Sequence, residues 1–570
     1  MHCNDKSRTG CRRGDLYYLR MVRTLILSCI LFALQGCSYY FGNTRISRFN
    51  YAPSALPSFC TRLPGLPLEQ RVVLGKDLIT EWADQSLGNW KQQGKVTEPR
   101  IMLAKLIQGK DIVAVNNYIL QLQPWGRTGT RWLLNPKGDY DFTEVMWIAM
   151  VYLLEPYPEK LFPETVQHIL EKLIISDGAR HRQYAPRTLR LMRETENHIL
   201  MKTASSYLKN KWLLTHSCTV NASRMFELED RLLSLLDEME KTGMYEFHSD
   251  PYFGYSMVPL LLLEAYGSEK IAVKARHVID LFNFEYALGS LDFRYAGPFR
   301  RRLEKAGKSS IQDDPHSAMM RTWSFVYQRQ PFTLHDIPHA SHQALMALLL
   351  PYTLPDTIAR FMQNRPDYFA RISHGFRATP EIYSGGPGFL LSAGGVQRGK
   401  ISQIVAQPTT LLLQDGAASL EECFHIKNKE NMRRWNNTGV YRHFAAGKGK
   451  VHRPETYAPD TCASGWCIYK PYTQDALRVT VFNSADLGII LLFPHWQQGS
   501  AALLEEILKA NPESKNLYHQ FAFPDGQIIA YQLSAPKRLW VIEAINEIRT
   551  DRKHDFWKRL DIITHDNPEK

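Results

Sequence analysis

Cysteine is scarce in this chain: nine residues in 570, no two of them in a CxxC pair, which weakens any reading as a thiolate zinc protein. Long apolar runs are also wanting near the N-terminus, where TLILSCILFAL at residues 24–34 falls well short of the ~20 residues a membrane-spanning helix needs. No segment recurs at a fixed period, which disfavours a tetratricopeptide-like solenoid. What is present is a chain too long for one ordinary core, so two or three domains are expected. Its 44% hydrophobic and 22% charged residues belong to a folded globular protein rather than a disordered or collagenous one. The 69 Lys+Arg against 57 Asp+Glu give +12 with His neutral. That balance calls for an acidic partner, whether nucleic acid, a membrane surface or a polyanionic substrate.

The compartment narrows the choice. Arg23 precedes the apolar run and Leu34-Gln35-Gly36-Cys37 follows it, the layout of an export signal. The four residues resemble the lipobox of bacterial lipoproteins, which implies cleavage before Cys37 and lipid on its thiol. Residues 1–20 are polar and basic, so Met21 is an alternative start. Removing residues 1–36 takes away six basic and two acidic residues, leaving 63 against 55, or +8. A bacterial cell-envelope protein, lipid-anchored and facing the periplasm or the exterior, has little access to nucleic acid. Charged polysaccharide becomes the expected partner, beside the membrane that holds the anchor. An oxidising compartment permits a disulfide, and Cys462 with Cys467 is the closest pair in sequence.

Residues 37–66 read as a proline-containing tether. From 67 to 374 amphipathic helical patterns recur near 69–87, 98–123, 142–154, 163–176, 186–214, 224–241, 254–266, 269–287, 315–328, 338–350 and 356–364, with no convincing strand among them. Closing so many helix pairs most economically gives a toroid. Residues 375–555 change texture to short apolar or alternating stretches such as GFLLSA at 388–393 and LRVTVF at 477–482, bounded by Gly, Asp, Pro and Asn, an all-β module. Residues 556–570 read as a polar tail. The fold class expected is therefore a multidomain α+β chain, an N-terminal (α/α) toroid followed by an antiparallel β-sandwich.

Chemistry-bearing residues gather in three places. Asn197 and His198 sit side by side near the rim of an apolar helical stripe, where polar groups need partners or a cleft. In EFHSDPYFGY, Ser249, Asp250 and Pro251 are helix-start signals that put Tyr252 at or just before a helix N-terminus, whose partial positive charge favours a phenolate. In RRWNNTGVYRHF, an extended 439–444 would project Tyr441 and His443 from one face.

The Asn-His pair, a tyrosine in a Ser-x-x-Tyr setting and the order of the two domains together resemble the alginate lyases and heparinase II/III-like polysaccharide lyases. The resemblance covers most of residues 67–550 in architecture, with short motif matches. It implies a cleft between toroid and sandwich that takes uronate-containing polysaccharide and cleaves it by β-elimination. Asn197 and His198 would neutralise the uronate carboxylate, Tyr252 would act as acid or base, and Tyr441 or His443 would face them from the β domain. That chemistry needs such donors because the C5 proton is poorly acidic until the enolate is stabilised. Arg300, Arg301, and Trp125 with Arg127 are candidate substrate contacts. Some related lyases carry a structural zinc in the β domain, but the spacing of His425, His443 and His452 does not suggest a site, so no cofactor is expected. Two other readings stand beside this one. A toroid glycoside hydrolase would need two carboxylates, with Glu196, Asp250 and Asp292 available but no pair standing out. A noncatalytic surface lipoprotein would keep the arginines and aromatics without needing Asn197, His198 and Tyr252 together.

Overall fold

The computed structural model describes residues 59, 61–88, 97–124, 138–176, 194–216, 222–244, 246–250, 252–300, 310–338, 342–374, 380–395, 404–405, 407–414, 416–427, 436–469, 477–554 and 557–564. The chain is mixed helix and antiparallel sheet, an α+β protein. The expected signal, Cys37, Trp125, Arg127 and Arg301 lie outside the described residues, as do 186–193.

Helices fill the first part in the places their apolar spacing predicts. They run from Leu68–Leu74 and Lys76–Ala83, through Asp141–Leu154, Glu196–Thr215, Ala222–Thr242, Tyr252–Tyr266 and Glu269–Gly289, to Pro315–Gln328, His342–Leu349 and Asp356–Gln363. The Ala222–Thr242 helix buries Leu228, Leu232, Leu235, Leu236 and Met239, the one-sided stripe of a surface helix. Tyr252–Tyr266 is buried from Phe253 through Glu264, as a helix apolar all round must be. It packs against the Glu196–Thr215 and Glu269–Gly289 helices on either side. Among the described residues no helix is long and apolar enough to cross a membrane.

Two sheets follow. One has seven strands in the order Lys450–His452, Phe424–Lys427, Thr410–Leu413, Phe389–Gly394, Glu381–Gly386, Tyr368–Ile372 and Leu560–Thr564. The other has six, in the order Val440–Tyr441, Phe444–Lys448, Leu487–Phe493, Arg478–Asn483, Trp466–Tyr469 and Pro459–Ala463. The seven-stranded sheet is covered on both faces. Tyr368, Ala370, Ile372, Tyr383, Leu390 and Leu412 join the core of the helices. Their strand neighbours Phe369, Ile382, Phe389, Leu391 and Leu411 join a second core shared with the six-stranded sheet. The period-2 alternation of a strand thus serves two cores at once, which is why GFLLSA reads as unbroken apolar sequence.

Several expectations need correction. Strands occur before residue 374: Ser290–Leu291 pairs with Arg294–Tyr295, Phe299–Arg300 pairs with Ile404–Val405, and Tyr368–Ile372 belongs to the large sheet. The expected polar tail contains the Leu560–Thr564 strand, paired residue for residue with Tyr368–Ile372. The far end of the expected tether is no free spacer. Phe59 is buried edge-on against Phe284, and Arg62 pairs with Asp280 while donating to the Thr353 carbonyl at 2.6 Å. The Thr61 carbonyl also accepts the Asp356 N–H at 3.1 Å, so a segment that shows no apolar period is docked by one aromatic, one arginine and its backbone. A helix, Ser500–Ala510, lies within the expected all-β part and packs Leu503, Leu504 and Ile507 inward.

Candidate active site

Three long helices begin side by side. Asp141, Glu196 and Tyr252 are the first residues of their helices, and side-chain contacts tie the three first turns together. The Nδ1 atom of His198 lies 2.6 Å from the Asp141 carboxylate. The Phe142 ring meets His198 edge-on at 5.2 Å and Tyr255 edge-on at 4.6 Å, and Tyr255 meets Tyr252 at 6.5 Å. No N-cap side chain closes the Asp141 or Glu196 helix. The N–H groups of Phe142, Thr143 and Glu144 go to the Asp139 and Tyr140 carbonyls and that of His198 to Asn197 Oδ1, so what this meeting point offers an anion is the positive ends of the helix dipoles.

The individual groups are poised in different ways. Asn197 is fully buried; its Oδ1 accepts hydrogen bonds from the Thr195 hydroxyl and, at 2.9 Å, from the His198 N–H. That fixes the amide so that Nδ2 is a donor with no hydrogen-bond partner among the described residues. For His198, burial opposes the charged form, but the charge and hydrogen bond of Asp141 outweigh it and raise the imidazole above its ordinary value. Lys202 adds a cation 3.8 Å from Asp141. Tyr252 is half-buried at its helix start.

The loop before Tyr252 joins this end of the helices to the sheet. Glu196 accepts the Glu246 backbone N–H at 2.7 Å. Burial first, and the neighbouring Glu246 charge second, raise the Glu196 carboxyl. Arg300 is buried, and its backbone N–H donates to the Phe247 carbonyl at 3.1 Å, bringing its charge to bear on Glu196 and His374. His248 follows with a left-handed backbone, φ 47°, and its Nε2 lies 3.3 Å from Glu381 on the large sheet.

Glu381 is the hub of a buried cluster that the sequence did not point out. It accepts from His374 Nε2 at 2.5 Å and from the Tyr383 hydroxyl, with Tyr295 at 3.3 Å. Burial alone would raise its carboxyl, but His248 facing it and the hydrogen bond from His374 hold it well below the usual carboxylate range. His374 stacks on Phe247 at 3.7 Å, and burial pushes it down to about 4. Gly289 makes room for Tyr383: a Cβ there would stand 2.7 Å from its ring. The one local signal was that His248 lies within the EFHSDPY stretch. Asp141, His374 and Glu381 come from separate elements with no motif of their own.

The sheet-side candidates stand elsewhere. Residues 439–444 are not one extended strand but a hairpin, with Tyr441 paired to Phe444 across Arg442 and His443, and Arg442 at φ 47°. Tyr441 therefore does not share a strand face with His443. Its ring packs on Phe369 at 5.2 Å and Trp540 at 6.1 Å, in the core between the two sheets. His443 lies 5.6 Å from the Phe389 ring and lines a small crevice with Arg442, Asp367 and Gly385. Gly385 is four residues along its strand from Glu381, about 14 Å. The sheet itself separates Tyr441 from the helix ends.

Of the hydrolase carboxylates, Glu196 lies at the site, whereas Asp292 is in the turn between two short strands beside Arg294. His425 and His452 are cross-strand neighbours with rings 4.6 Å apart, but His425 Nδ1 and His452 Nε2 face the Cys423 and Glu421 carbonyls. Among the described residues no group of three or more His, Cys, Asp or Glu gathers as a metal site would need. Cys462 and Cys467 are disulfide-bonded across paired strands, with Cα atoms 4.2 Å apart. Compared with protein-family models and with curated proteins, the chain finds no match in either.

Proposed function

We propose that this protein is an exported, lipid-anchored polysaccharide lyase that cleaves a uronate-containing polymer by β-elimination, at the mouth of an (α/α) toroid. The observation that carries the reading is the convergence of Asn197, the His198–Asp141 pair and Tyr252 on the first turns of three adjacent helices. A uronate carboxylate placed there meets the Asn197 amide, the His198 imidazole and the positive helix ends. Together these lower the cost of the enolate. Tyr252 is the proton carrier, either to the leaving O4 oxygen or from C5. Arg300, behind the loop, contributes positive potential rather than an exposed grip. The toroid is supported by the run of helices in which sequence neighbours pack in pairs.

A hydrolase reading draws on one specific observation, the raised Glu196 carboxyl beside Glu246, since a glycosidase acid needs to hold its proton near neutrality. The product separates the two. Incubation with alginate, hyaluronan and heparan sulfate is expected to yield the ultraviolet absorbance of a 4,5-unsaturated uronate. Reducing ends without that absorbance would favour hydrolysis, and binding without either product would favour a noncatalytic surface protein. Mass spectrometry of the membrane-bound form is expected to find a lipid-modified Cys37 as its first residue.

A further inference from the structure

We propose that His248, positioned by Glu381, is the base that takes the C5 proton, an assignment that rests on the lyase reading above. The expected partner from the sheet side, Tyr441, is occupied in the core between the sheets. His248 lies instead in the loop that leads into Tyr252, and its ring is 6.1 Å from that of Phe253, the residue after Tyr252.

Its two ring nitrogens have different surroundings. Nε2 faces the Glu381 carboxylate at 3.3 Å, and Nδ1 is buried with no hydrogen-bond partner among the described residues. An ionised Glu381 holds the proton on Nε2, leaving the Nδ1 lone pair to accept one. The nearby alternatives are poor bases. Burial pushes Tyr295 and Tyr383 far above the ordinary phenol range, with the Glu381 charge adding to it, so both stay protonated and donate. His374 already donates to Glu381. His316, whose ring is 6.1 Å from His248, faces Asn283 through Nε2 at 2.8 Å. The remaining charges near the pair are Glu285 with its partner Arg559, Arg300, and the capping carboxylate of Asp314.

The backbone and the surroundings fit a reacting group. A histidine at φ 47° is an uncommon conformation of the kind that concentrates at functional sites. Ser249 Oγ, next to it, and the Gln343 amide, which lies over Gly254, are also buried without hydrogen-bond partners among the described residues. Buried polar groups are ordinarily satisfied, so donors and acceptors left over in the loop before Tyr252 and beside Gly254 suit a hydroxyl-rich ligand.

The step balances without any oxidant or reductant. The C5 proton goes to His248 Nδ1, and the C5–H electron pair forms the enolate and then the C4=C5 double bond. The C4–O4 bond breaks with its electrons on O4, which takes the Tyr252 hydroxyl proton. The imidazolium proton then returns to the phenolate after product leaves.

The test uses the full chain, the three polymers named above and two substitutions that tolerate the left-handed backbone, His248→Gly and His248→Asn. Both are expected to lose at least ~10²-fold in kcat while melting with the wild type, and added imidazole is expected to restore His248→Gly about tenfold but not His248→Asn. Glu381→Gln is expected to lower kcat with KM within about twofold, as a positioning residue would. Unchanged kcat in His248→Gly, or a loss that imidazole does not restore, overturns the base assignment while the lyase reading stands on wild-type product. Failure of the wild type to form the absorbing product from any of the polymers overturns the lyase reading and the base with it.

Discussion

The helix ends around His198 and the hairpin around Tyr441 both collect aromatic and titratable side chains, yet they hold them in different ways. At the helix ends each group projects from the first turn of a helix at least 14 residues long that is buried along much of its length. Position is set by the core, and the charge of His198 by Asp141. At the hairpin the groups come from a two-residue connection and its flanking strands, and the tyrosine is consumed by packing against Phe369 and Trp540. Residue type alone does not distinguish the two. What distinguishes them is whether the backbone aims polar groups at each other or at an apolar neighbour.

The largest expected effect follows from that contrast. His198→Ala or Tyr252→Phe should lower elimination by about 10²–10⁴-fold, read as initial rate of unsaturated product, whereas Tyr441→Phe should stay within about twofold of wild type. The reverse ranking would break the comparison. Next comes the buried pair that ties the helices to the last strand, Glu285 with Arg559 at 2.5 Å. Arg559→Met leaves the Glu285 carboxylate without its partner and should cost about 3–5 kcal/mol in urea unfolding. A loss under about 1 kcal/mol would mean that Glu285 simply takes up a proton, as carboxyls in apolar surroundings do.

The Asp141–His198 pair sharpens the comparison through pH. Because the folded imidazole is raised above its ordinary value, its contribution to stability is complete below about 6.5 and is lost as pH rises through the folded value. Melting temperature should fall across that window in the wild type and less in Asp141→Asn. Equal slopes would mean that Asp141 does not set the imidazole. The smallest effect is expected at the far side of the second sheet. There the Cys462–Cys467 bond closes a short exposed hairpin, so reduction should cost at most about 2 kcal/mol and leave elimination unchanged.

How much of this was legible in the sequence follows from the range of the interactions involved. Helix periods and start signals are local, so Tyr252 was placed at its helix start and most helical stretches were located within a few residues. The apolar strands at 389–394, 410–413 and 487–493 were also legible, because a sheet covered on both faces writes itself as continuous apolar sequence. Short strands such as Pro459–Ala463, exposed along most of their length, carry no such mark. The Leu560–Thr564 strand is not legible, because its hydrogen bonds go to residues nearly two hundred positions earlier. Asn197 and His198 were visible as polar neighbours on an apolar helix. Asp141, which holds His198, was not, since the two are 57 residues apart. The place of Tyr441 is not legible, because nothing local marks the turn at Arg442 and His443.

That last strand bears on how the chain comes to be made. Glu285 enters the growing polypeptide long before Arg559, and the edge of Tyr368–Ile372 waits for Leu560–Thr564 to pair with it. A chain interrupted shortly before residue 559 would carry nearly every helix and strand, yet keep an uncompensated carboxylate where the two cores meet and an open sheet edge beside it. Incomplete copies of this protein should therefore betray themselves at that junction, by sticking to one another and by yielding there to proteases.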